Sequence, residues 1–102
     1  MVQYTLYVGL NDKDSKVQEI STVEAFKILT KLCGQYTSGA TIFDADGVYK
    51  HDDGTVVIEK SFKIELLFIT KEQVKEIANM IKKIFNQESI ALTTREVESE
   101  LI

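Results

Sequence analysis

A chain of 102 residues, 44% hydrophobic and 27% charged, has room for one modest core and is too balanced for wholesale disorder. Twelve Lys and Arg against sixteen Asp and Glu leave a formal charge of −4, which opposes direct binding to nucleic acid phosphates. No apolar run of about 18 residues occurs, so a membrane-spanning helix is not expected.

Residues 2–10 alternate, with Val2, Tyr4, Leu6 and Val8 on one face and Gln3, Thr5 and Tyr7 on the other, the pattern of a half-buried strand. Met1-Val2-Gln3-Tyr4 has no basic n-region and goes straight into this alternation, so a signal peptide is not expected. With Cys33 as the only cysteine no internal disulfide can form, and a cytoplasmic setting is expected. A charged connection follows to Glu19. Ser21 with Glu24 three residues on reads as a capping box opening a helix, with the stripe Val23, Phe26, Leu29, Leu32 and Cys33 and a stop at Gly34.

Residues 40–50 and 55–69 read as two long strands joined at His51-Asp52-Asp53-Gly54. A turn of two residues or of four pairs odd positions of the first strand with even positions of the second. Phe43, Ala45, Tyr49, Ile58, Phe62, Ile64, Leu66 and Phe68 are then expected on the core face. Ile42, Asp44, Asp46, Val48, Glu59, Ser61, Lys63, Glu65 and Leu67 are expected on the other. Thr70 and Gln73 form a second capping box, before a helix with Val74, Ile77, Ala78, Ile81, Ile84 and Phe85 at helical spacing. A short strand over Ser89–Thr93 closes a single domain of residues 1–93, and residues 94–102 read as an acidic tail or short helix.

The order βαββαβ predicts an α+β ferredoxin-like plait, a four-stranded antiparallel sheet with two helices on one face. The sequence also resembles a small uncharacterised family of bacterial and phage proteins of unknown function. The resemblance rests on Leu6-Tyr7-Val8-Gly9-Leu10, Asp46-Gly47-Val48-Tyr49, Asp53-Gly54, Val57-Ile58-Glu59-Lys60-Ser61 and Phe85-Asn86-Gln87-Glu88-Ser89. Relatives often carry a tryptophan where Tyr49 stands and a proline near Lys60. The resemblance implies a plait-like fold and brings no catalytic residues with it.

Asp44, Asp46 and Glu59, with Asp52 and Asp53 nearby, are expected on one sheet face, where carboxylates can hold a hard cation or form an acid/base pair. The simpler reading is a solvated face beside Lys50, Ser61 and Lys63, with turn residues chosen for backbone geometry. His51 has no second ligand at zinc spacing. Cys33 lies on an apolar stripe, as inert thiols do. The glycines match no phosphate-binding loop, and Asn11-Asp12-Lys13-Asp14 lacks the glycine and glutamate of a calcium loop. Tyr7 has the position of a base-stacking aromatic without a basic rim.

No catalytic residue, metal site or cofactor is expected. The leading expectation is a non-enzymatic interaction module, a phage or mobile-element accessory inhibitor of a host defence factor of the anti-CRISPR kind. It would bind a protein, one with a basic nucleic-acid-binding surface, through Tyr7, Asp44, Asp46, Asp52, Asp53, Glu59, Glu65, Glu96, Glu98 and Glu100, without touching nucleic acid or membrane. The alternatives are a small-ligand or metal-binding domain or plait enzyme using Asp44, Asp46 and Glu59, and a structural homodimer subunit.

Overall fold

Residues 1–50 and 53–102 are described by the computed structural model; His51 and Asp52, the expected start of the hairpin turn, lie outside the described residues. In chain order the elements are β1 (Val2–Gly9), α1 (Thr22–Tyr36), β2 (Gly39–Lys50), β3 (Val56–Leu67), α2 (Lys71–Ile84) and β4 (Ala91–Glu96). The strands form one antiparallel sheet in the order β2-β3-β1-β4. This is the α+β ferredoxin-like plait that the element order predicts.

Tyr4, Leu6 and Val8 of β1 and Phe62, Ile64 and Leu66 of β3 are buried on one face. They form a core with Ala25, Leu29, Leu32 and Cys33 of α1 and Val74, Ile77 and Ile81 of α2. α2 has the predicted cap: Thr70 Oγ1 accepts from the Gln73 N–H at 3.2 Å, and Gln73 Oε1 accepts from the Thr70 N–H at 3.1 Å. Ser21 Oγ likewise accepts from the Glu24 N–H at 3.2 Å to open α1.

Three expectations are corrected. α1 does not stop at Gly34 but continues to Tyr36, where the Thr37 N–H bonds Cys33 O at 3.0 Å. A helical glycine costs only about 1 kcal/mol, less than the gain from burying the adjacent Leu32 and Cys33. The inward face of α1 is also rotated. Ala25 is buried, whereas Val23 and Phe26 remain exposed, and Phe26 only leans on Phe62, with ring centroids 6.2 Å apart.

The third correction matters most for function. Ile42 pairs with Ile64, Asp44 with Phe62 and Val48 with Ile58, so even positions oppose even positions. The connection from Lys50 to Val56 spans residues 51–55, an odd number, and shifts the register by one from that of an even turn. β3 faces as predicted, but β2 is turned over. Ile42, Asp44, Asp46 and Val48 lie on the helix side, and Phe43, Ala45 and Tyr49 lie on the open side.

β4 begins at Ala91 and runs on to Glu96, and the Val97 N–H bonds Met1 O at 2.8 Å. β3 pairs with β1 only from Ser61 to Leu66, with one further bond from the Leu10 N–H to Lys60 O. Beyond it, Val56–Glu59 pairs as a strand with β2 alone among the described residues, and the two strands project as a ribbon. Among the described residues no helix is long and apolar enough to cross a membrane.

Candidate functional site

The open face of the sheet divides into two halves. Toward the Leu67 end of β3 it is closed by polar groups that reach across the strands. Arg95 Nη2 donates to Gln3 Oε1 at 3.1 Å, and Gln3 Nε2 donates to Glu65 Oε2 at 3.0 Å. Lys63 Nζ stands 3.4 Å from Glu65 Oε1 and 5.3 Å above the Phe43 ring. Toward the hairpin, side chains almost vanish: Gly9, Ala45, Gly47, Ser61 and Ala91 form the floor of a basin of about 600 Å³.

Tyr7 and Tyr49 lie toward its two ends. Their β3 neighbours are Lys63 and Val57, six positions apart, which spaces them by roughly 20 Å along the strands. Between them lies the half-buried Glu59. Its side chain crosses Gly9 so closely that a Cβ there would meet Oε1 at 2.5 Å. A Cβ on Gly47 would meet Ser61 Oγ at 2.8 Å. Both glycines therefore leave space that a neighbouring polar group uses.

Glu59 Oε2 accepts from the Asn11 N–H at 3.0 Å. Asn11 is itself held in place. The Asp12 carboxylate accepts from the Asp14 and Ser15 N–H groups at 2.8 and 3.0 Å and from Asn86 Nδ2 at 3.0 Å. Those bonds, led by the Ser15 N–H, keep the Asp12 carboxyl below its usual range. The Lys13 N–H bonds Asn86 O at 2.9 Å, and Gln87 Nε2 donates to Asn11 O at 2.6 Å. Asn86 adopts φ 47°, a left-handed conformation that asparagine tolerates better than most residues. The pinned loop walls a second depression of about 340 Å³, which shares Tyr49, Glu59, Gln87 and Ser89 with the basin.

Of the site residues expected from sequence, Tyr7 and Glu59 lie together on the open face in the basin, and Asp46 borders it from β2. Asp44 and Asp46 are on the opposite side of the sheet, where they share Lys60 at 2.8 and 3.5 Å. The hydrogen bond to Asp44 is the main reason that the Lys60 ammonium is held above its usual pKa. The expected carboxylate trio is thus split by the sheet. Among the described residues no three His, Cys, Asp or Glu side chains stand together as metal ligands. Asp53 Oδ1 accepts from the Thr55 N–H at 2.8 Å within the turn, and Asp52 lies outside the described residues. Glu65 belongs to the polar network, Glu96 stands 3.1 Å from the Met1 ammonium, and Glu98 and Glu100 are exposed. Burial pushes the Cys33 thiol up to about 11, which leaves it protonated and inert.

The loop 11–16, which completes the site, reads as a mere connection in the sequence, and the segment 86–89 stands out there only as part of the family resemblance. The one local signal is Asp12 followed by Asp14-Ser15, an Asx-turn pattern.

Solved structures share the fold. A phage SAM lyase in complex with S-methyl-5′-thioadenosine is similar at TM-score 0.70 and 22% identity, over 93% of this chain and 80% of that one. CutA from Archaeoglobus fulgidus, a periplasmic divalent cation tolerance protein, is similar at 0.62 and 14%, over 99% and 88%. The B. subtilis GlnK–ATP complex is similar at 0.57 and 14%, over 92% and 82%. No curated protein matches the sequence. Residues 3–101 match a family described as "Protein of unknown function (DUF3574)", and the chain belongs to that family.

Proposed function

We propose that the open-face basin binds a small organic ligand bearing an adenosine group, with Glu59 as its anchoring carboxylate. The observation that carries this reading is the clearing of side chains around Glu59: Gly9, Ala45, Gly47, Ser61 and Ala91 leave a volume within the range of small-molecule pockets. The chemistry of the walls suits such a ligand. A floor of backbone and small side chains accepts the plane of a ring, and tyrosines offer apolar faces with a polar tip. A carboxylate fixed on one oxygen by a backbone N–H can accept from a ribose diol or face a cation. Two of the similar structures hold S-methyl-5′-thioadenosine and ATP. With Glu59 in the basin and a net charge of −4, neutral or cationic adenosyl compounds are favoured over a polyphosphate.

A ligand that binds only the folded state raises its melting temperature. S-methyl-5′-thioadenosine and S-adenosylmethionine are expected to raise Tm in a thermal-shift titration, ATP less so, and Glu59→Gln to lower the affinity about tenfold or more. Chromatography of the S-adenosylmethionine sample reads in parallel whether the ligand is released intact or cleaved. Unchanged melting with all these compounds would discard the reading.

The expectation of an acidic inhibitor that captures a protein partner has the net charge and the exposed Glu98 and Glu100 as its support. Of the contact residues that reading names, Tyr7 and Glu59 line the basin, whereas Asp44, Glu96, Glu98 and Glu100 do not, so its acidic surface is dispersed over the molecule. A cytoplasmic setting for the ligand reading rests on the lone buried cysteine.

A further inference from the structure

Two apolar surfaces on the helix side of the sheet have no cover among the described residues. One is the projecting ribbon, where the cross-strand pair Val48 and Ile58 is 68% and 70% exposed and Val56 57% exposed. Isolated two-stranded ribbons are marginal in water, and clustered exposed aliphatic side chains mark contact sites. The other is a groove of about 330 Å³ between α1 and β2, lined by Val23, Phe26, Ile42 and Phe62 with Asp44 at its rim. Within one chain the two surfaces cannot meet. Ile42 and Val48 lie six positions apart on the same strand, roughly 20 Å.

We infer that the β2–β3 ribbon of one copy of this chain seats in the α1–β2 groove of a second copy, head to tail. Charge and spacing both favour this occupant. Asp44 at the groove rim and Asp46 two positions beyond it share a single lysine, Lys60, so this cluster carries a net charge of about −1 beside the groove. Lys50, on the same side of the ribbon as Val48, supplies one positive charge. Val48 and Lys50 are two positions apart on β2, and so are Ile42 and Asp44. One seating therefore carries Val48 and Ile58 into the groove and the Lys50 ammonium to the carboxylates. Every copy carries one ribbon and one groove, so such a contact repeats from copy to copy, and its rotation decides between a closed ring and an open chain. The inference goes beyond the ligand reading and does not depend on it, because self-association is read without ligand.

Sedimentation of the wild-type chain over a wide concentration range is expected to show a species of more than one copy. Val48→Asp on the ribbon and Phe26→Asp on the groove are each expected to weaken that association about tenfold or more. Mixed together, the two variants retain one good ribbon and one good groove and should form a two-copy species that neither forms alone. Lys50→Glu, a change at an exposed position that leaves the core untouched, should weaken association without altering the unfolding transition at dilutions where the chain is single. Reversing Asp46 to Lys in that background should restore it. A wild-type chain that stays single at every concentration overturns the inference in favour of a foreign partner. An assembly indifferent to Val48→Asp and Lys50→Glu, or variants that fail to complement on mixing, also overturns it.

Discussion

The two halves of the open sheet face share the same strands and the same alternation, yet one is sealed and the other is hollow. In the sealed half, Arg95, Gln3, Glu65 and Lys63 join side chain to side chain across β4, β1 and β3, and Lys63 caps the Phe43 ring of β2. In the hollow half, Gly9, Ala45 and Gly47 lie beside Ser61 and Glu59, and among the described residues Glu59 is the side chain that crosses Gly9. Side-chain length decides the difference, because the backbone beneath is the same pleated ladder. A sheet face becomes a site where small residues from neighbouring strands come into register.

That contrast can be broken or sharpened by substitution. Ile64 is fully buried on the helix side beneath both halves. Ile64→Ala is expected to cost about 2–5 kcal/mol in urea unfolding and so to weaken both halves together. Gly9→Ala acts on the hollow half alone. The new Cβ displaces the end of the Glu59 side chain, so ligand affinity should fall about tenfold or more while stability changes by less than about 1 kcal/mol. A titration in which Gly9→Ala binds adenosyl ligands as well as wild type would show that Glu59 is not the anchor. Glu65→Ala is the smallest effect. It opens the exposed Lys63 ion pair and the Gln3 bond for about 1 kcal/mol or less and should leave ligand affinity unchanged.

Much of this architecture was legible in the sequence, and the exceptions have a common cause. β1 and α2 were readable because each is specified locally, by strict alternation from Val2 to Val8 and by the Thr70–Gln73 cap. The facing of β2 was not, because it depends on the length of the 51–55 connection, and one residue turns every side chain over. Phe43 and Tyr49 suggested an inward strand, although their neighbours Ile42, Asp44 and Val48 are the ones on the helix side. The site followed the same rule. Glu59 and Tyr7 were singled out for their types, but they share a basin only because Gly9 falls beside Ser61 and Gly47 beside Glu59. Such adjacency is a property of pairing and is invisible along a single strand.

The Asp44–Asp46–Lys60 cluster, lost as a candidate site, has another consequence. β2 is the outermost strand of the sheet, twelve residues long, and its backbone offers hydrogen-bonding groups to any passing strand. Two carboxylates in its middle make pairing of this edge with the β2 edge of a second copy unfavourable, since such pairing would bring the two sets of carboxylates together. Neutralising both should leave the fold of the chain intact and favour edge-to-edge pairs of copies, read by sedimentation. Charge placed on a long exposed edge is one of the ways a sheet is kept from pairing with its neighbours.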